Sequence, residues 1–252
     1  MSSTTPFEPK VVIGATSVFD DDVRKLVNTL ECANVVEFLC GSRMDLQLAD
    51  GGPLTILGPV MEVHRGASAN ILLKDPASGV VKEKLTKPTM QLHFTKGDVP
   101  CDTLSKVLDA VDERVKQICV ENIKAIEKQS KFQNAEYVDD EFQPWATRAK
   151  AAFSRKRKAT DEDADAPLWV RCKIQCVEDT SNEQAQDAAT WTVSVKEVGD
   201  DGNVKEHEDA SELRKGNMKV RPSLEVASMT KTGLGMCANL LLREVLIVER
   251  MP

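Results

Sequence analysis

The run LWVRCKIQCV, residues 168–177, places Trp169, Arg171 and Lys173 at every second position. Extended as a β-strand, it puts those three and Gln175 on one side, and Leu168, Val170, Cys172, Ile174 and Cys176 on the other. An aromatic ring in file with two cations suits single-stranded nucleic acid. The ring can stack on any base, worth ~1–3 kcal/mol, while the cations follow the phosphates. An ordinary solvated strand, with Trp169 at a sheet edge, would show the same pattern. In MKVRPSL, Lys219 and Arg221 likewise alternate with Met218 and Val220. A sheet joining the two strands would carry Trp169, Arg171, Lys173, Lys219 and Arg221 on one face. Trp191, in file with Val193 and Val195, is expected in the core instead.

A second cationic feature is the run Arg155, Lys156, Arg157 and Lys158, followed by acids at Asp161, Glu162, Asp163 and Asp165. Short basic runs of this kind match nuclear-import addresses and also suit phosphate contact; a solvated loop whose acids neutralise the cations is the alternative. Catalytic signatures are missing. KTGLG at 231–235 has its lysine before the glycines, which is wrong for a phosphate loop and right for a hairpin turn. GxSxG is absent, and no carboxylate pair is placed at one site by periodicity. The histidines, His64, His93 and His207, make no HExxH, and the seven cysteines make no CxxC. No metal, no cofactor and no enzymatic activity are expected; the thiols read as small core residues in a reducing compartment.

The elements that must position these residues follow from composition and pattern. With 252 residues and 41% hydrophobic content the chain can bury a proper core. A net charge of −7 argues against coating nucleic acid through bulk charge, and leaves room for a local basic groove. No apolar run approaches the roughly 20 residues of a membrane span, and MSSTTPFEPK lacks the features of a secretory signal, so an intracellular protein is expected. Residues 1–9 read as a flexible arm and 10–250 as a single α+β domain, interrupted by a mobile charged loop over 145–166. SVFDDDVRKLVNTLE predicts a helix capped by Ser17 or Asp20. Residues 53–95 predict four strands: PLTILGPVMEVH, SANILLKD, GVVKEKLT and KPTMQLHFTK. A long helix is predicted over about 102–129. Asp102 is its expected cap; Leu104, Val107, Leu108, Val111, Val115, Ile118, Cys119 and Ile126 form its buried stripe, and Asp109 and Asp112 fall on its polar side. Further strands are predicted from LWVRCKIQCV to the C-terminus.

LWVRCKIQ, followed by NMKVRPSLEVASMTKTGLGMCANLLLREVLIVER, resembles the end of the single-stranded DNA-binding proteins of large eukaryotic DNA viruses. Those are built on an oligonucleotide-binding (OB) barrel. The likeness lies in the LWV strand, the V-P-L-V strand, a glycine-containing hairpin and the terminal EVLIV strand, over the last third of the chain. Where such sequences often carry an aromatic, this chain has Ala227 and Ser228. The resemblance implies an OB-like antiparallel barrel with a long packing helix. It also implies binding of single-stranded DNA with little sequence preference in replication, recombination or repair, with replication proteins as partners. The basic run at 155–158 makes the nucleus the expected location, with the cytoplasm or a viral replication compartment as the alternative. The competing expectation is a protein-interaction or structural module that binds no nucleic acid.

Overall fold

The computed structural model describes residues 8–15, 17, 19–39, 41–74, 81–145, 168–177 and 187–252, with backbone only over 69–74 and 81–86. The charged run at 155–158 and nearly all of the predicted loop lie outside the described residues. Among the described residues twelve strands join in one sheet: β1 Val11–Val12, β2 Leu30–Phe38, β3 Gly41–Leu48, β4 Leu54–Leu57, β5 Met61–Val63, β6 Ser68–Lys74, β7 Val81–His93, β8 Trp169–Lys173, β9 Ser194–Val198, β10 Val204–Glu206, β11 Met218–Thr232 and β12 Gly235–Arg250. The helices are α1 Asp21–Asn28, α2 Val99–Glu121, α3 Ile123–Ile126 and α4 Ala135–Glu141.

Five strands close on themselves. β5 pairs β7, β7 pairs β8, β8 pairs β12, β12 pairs β11, and β11 returns to β5. In chain order the first strand of this ring therefore lies between the second and the fourth, and the third pairs with the fifth. This is a Greek-key ring of OB-like type. Not every pairing is antiparallel: β8 runs parallel to β12, the consequence of closing a ring in which the third strand meets the fifth. β11 is long enough to serve the ring at Met218–Val220 and then to carry β4 and β3 along the same edge. The hairpin predicted at KTGLG is present, with Thr232 registered against Gly235.

The first predicted helix forms as α1, capped by Asp20, whose carboxylate accepts from the backbone N–H of Asp22 and Val23. α2 differs from expectation at both ends. Asp98, not Asp102, caps it by accepting from the Cys101 N–H at 3.1 Å, and Pro100 occupies the first turn, where its missing N–H costs nothing. The helix stops at Glu121 because Asn122 turns its side chain back onto the Ile118 carbonyl, and α3 restarts at Ile123. The buried stripe is as the periodicity predicts, from Leu104 to Cys119. Asp112, predicted on the polar side, is buried, and the backbone N–H of Trp145 donates to it.

GVVKEKLT and KPTMQLHFTK, predicted as two strands, form the single strand β7. Pro88 is tolerated inside it where the pairing with β6 shifts register and β8 takes over. The β2–β3 hairpin, paired from Leu30↔Leu48 to Phe38↔Gly41, is additional to the strands that the sequence predicts.

Candidate nucleic-acid interface

β8 alternates as its sequence predicts. Val170, Cys172 and Ile174 point into the core, while Arg171 and Gln175 are exposed and Lys173 is half-buried. Trp169 stands on the outer side with the cations, yet is only 5% exposed and lies outside the continuous core. The Arg171 guanidinium covers part of its ring, with Cζ 5.6 Å from the ring centre. Arg171 has no acidic partner among the described residues. Desolvation by its surroundings lowers its pKa from the ordinary value, but a guanidinium stays charged across the physiological range. Across β7, Lys173 faces Thr89, Arg171 faces Gln91 and Trp169 faces His93. Trp191, predicted in the core, is there.

The cations of β11 sit in other surroundings. Lys219 is 2.7 Å from Glu249 on β12, and this carboxylate, with Glu62 adding to it, raises the lysine's pKa. Arg221 is tied to the backbone, its Nε donating to the Gly58 carbonyl at 3.2 Å and Nη2 to that of Ile13 at 3.4 Å. Both residues border a groove of about 400 Å³ whose walls include Pro59, Met61 and Pro100. The structure therefore groups Trp169, Arg171 and Lys173 on one strand, and sets Lys219 and Arg221 on β11, two strands away through β12 and three through β7 and β5.

Two groups that the sequence did not flag lie between them. Glu62 on β5 is registered with both Lys219 and His93. The His93 ring lies tilted by 59° against that of His64, centroids 4.4 Å apart, and its Nδ1 is buried without a hydrogen-bond partner among the described residues; burial, with His64 as a lesser cause, holds its pKa below the ordinary value. The alternation Met61-Glu62-Val63-His64 marks Glu62 and His64 as outward, but nothing local says which strands flank them. Among the described residues no group of three or more His, Cys, Asp or Glu could hold a metal ion, and no helix is long and apolar enough to cross a membrane.

No protein-family model matches the chain, and no curated protein matches it. Among solved structures, the single-stranded DNA-binding protein from bacteriophage Enc34 in complex with ssDNA matches with 10% identity and a TM-score of 0.36, over 86% of this chain and 95% of that one. Its C-terminal truncation matches with 12% identity and a TM-score of 0.38, over 87% and 96%. Both are phage proteins, not proteins of eukaryotic viruses. The assignment of an OB-like barrel rests on the closed strand pairing of this chain and not on those two neighbours.

Proposed function

We propose that the protein binds single-stranded DNA on the outer face of β7 and β8, with little sequence preference, and acts in replication, recombination or repair. The observation that carries this reading is Arg171: a cation without an acidic partner among the described residues, lying over an indole, on the face of the second and third ring strands. In OB barrels that face is the one that receives oligonucleotides. The guanidinium can leave the ring for a phosphate and open the ring to a base, so that one residue pair supplies both stacking and charge. Neither interaction reads base edges, which is why little sequence preference is expected. Replication proteins as partners, and nuclear import directed by Arg155, Lys156, Arg157 and Lys158, belong to the same proposal. Alanines at those four positions would leave a tagged protein in the cytoplasm.

The test is competition. A labelled dT oligonucleotide bound to the full chain should be displaced by unlabelled single strands of unrelated sequence and poorly by duplex of equal length. Equal displacement by duplex would leave only non-specific charge attraction.

One observation favours a protein-interaction role. Leu39 is 101% exposed and Leu234 60%, on two hairpin tips made adjacent by the pairing of Gly41 with Thr232. Loss of a partner protein on Leu39→Asp, with DNA binding absent in the parent, would decide for that role.

A further inference from the structure

One lateral row crosses the outside of the barrel. Trp169 on β8 is registered with His93 on β7, His93 with Glu62 on β5, Glu62 with Lys219 on β11, and Lys219 with Glu249 on β12. Adjacent strands lie about 4.8 Å apart, so Trp169 and Lys219 are separated by about 14 Å of sheet. The groove bordered by Lys219 and Arg221 opens at the far end. A strand held at Trp169 and Arg171 that crosses the barrel along this row reaches Glu62 before it reaches a second cation.

The second cation is already engaged. Lys219 holds Glu249 at 2.7 Å and has Glu62 as its cross-strand neighbour on the other side. The Glu249 side chain is 56% exposed and the Lys219 side chain 37%, so solvent reaches the pair and nothing bulky keeps it closed. An exposed ion pair contributes little to stability, and a phosphate oxygen can replace one of its members.

We propose that bound single-stranded DNA crosses the barrel along this row into the Lys219–Arg221 groove, and that two acids restrain it: Glu249 by pairing with Lys219, and Glu62, whose carboxylate lies 3.5 Å from His64 Nε2, by its negative charge beside the path. This rests on the DNA-binding reading above. Lys219 exchanges a carboxylate for a phosphate. The attraction between lysine and phosphate is opposed by the breaking of the Glu249 ion pair and by the carboxylates that then face the phosphate. The two acids thus set the affinity of the site without touching the bases.

The experiment uses the full chain, a fluorescein-labelled dT oligonucleotide and a range of monovalent salt. Glu62→Gln with Glu249→Gln should bind roughly fivefold tighter at 0.1 M salt, with the slope of log affinity against log salt steeper by about 0.7, the contribution of one phosphate contact on a single strand. Adding Lys219→Ala should abolish that increase. Glu136→Gln with Asp140→Asn, exposed positions on α4, makes the same change in net charge away from the row and should give less than half the effect. If the parent binds DNA and the Glu62/Glu249 variant behaves like the α4 variant, the proposal is overturned and the DNA-binding reading stands. If the parent binds no DNA, both are overturned.

Discussion

Arg171 on β8 and Lys219 on β11 project from the outside of the same barrel and end in opposite electrostatic settings. Arg171 lies on an indole with no acid beside it among the described residues, while Lys219 has a carboxylate on the strand at either side. Arg221, two residues along from Lys219, is spent on two backbone carbonyls. Each strand shows the same local rule, with polar residues alternating with apolar ones that face the core. Whether a cation is available to a ligand depends instead on its lateral neighbours, which come from strands far away in sequence, as Glu62 is from Lys219. Proposed contact with phosphate is therefore strongest at β8 and conditional at β11.

The largest effect is expected from a charge placed inside the apolar stripe by which α2 packs against the sheet. Val111 is 1% exposed on α2, and Val111→Asp would bury an unpaired carboxylate at a cost of several kcal/mol, comparable with the whole stability of a domain. Loss of the cooperative thermal transition is expected; a melt like the parent's would mean that the α2 stripe does not support the barrel.

Trp169→Ala comes next. The ring is nearly covered, so its removal should cost about 3 kcal/mol of stability and lower Tm by roughly 6–12 °C. DNA binding by the protein that remains folded should weaken by a further ~1–3 kcal/mol if the ring receives a base. Calorimetry and a titration below the transition separate the two effects. Normal binding despite a lowered Tm would make Trp169 purely structural.

Smaller effects should distinguish the two cations. Lys173→Ala should reduce DNA affinity severalfold for all sequences alike, with Tm within about 2 °C of the parent, since a half-exposed lysine adds little to the fold. Lys219→Ala in the unaltered background should change affinity less than twofold, because the same substitution removes a cation already bound to Glu249. A loss at Lys219 as large as that of Arg171→Ala would erase the contrast between β8 and β11.

Much of the fold was legible. The α2 stripe, the alternation of β8, the core position of Trp191 and the hairpin at KTGLG all follow from patterns local to a few residues. Asp98 was missed as the cap because Asp102 also stands near the start of the apolar stripe, and only the turn containing Pro100 separates them. The burial of Asp112 depends on Trp145, more than thirty residues later, reaching back to α2. The β2–β3 hairpin escaped because LECANVVEF has no clean alternation; a bulge between Cys32 and Asn34 shifts its register, and most of its residues from Ala33 onward are exposed. For the candidate interface, the β8 residues were found by spacing. The restraint on Lys219 was not, since register across β5, β7, β11 and β12 is a property of the closed ring.

The most direct measurement is equilibrium titration of a labelled dT oligonucleotide with the parent and with Arg171→Ala, each at several salt concentrations. Saturable binding by the parent that weakens as salt rises is expected. Arg171→Ala should bind severalfold more weakly at 0.1 M salt, with a salt slope shallower by about 0.7 and an unchanged melting temperature. Absence of saturable binding by the parent at about 50 mM salt, or an Arg171→Ala titration that overlays the parent's at every salt concentration, would contradict DNA binding through β8.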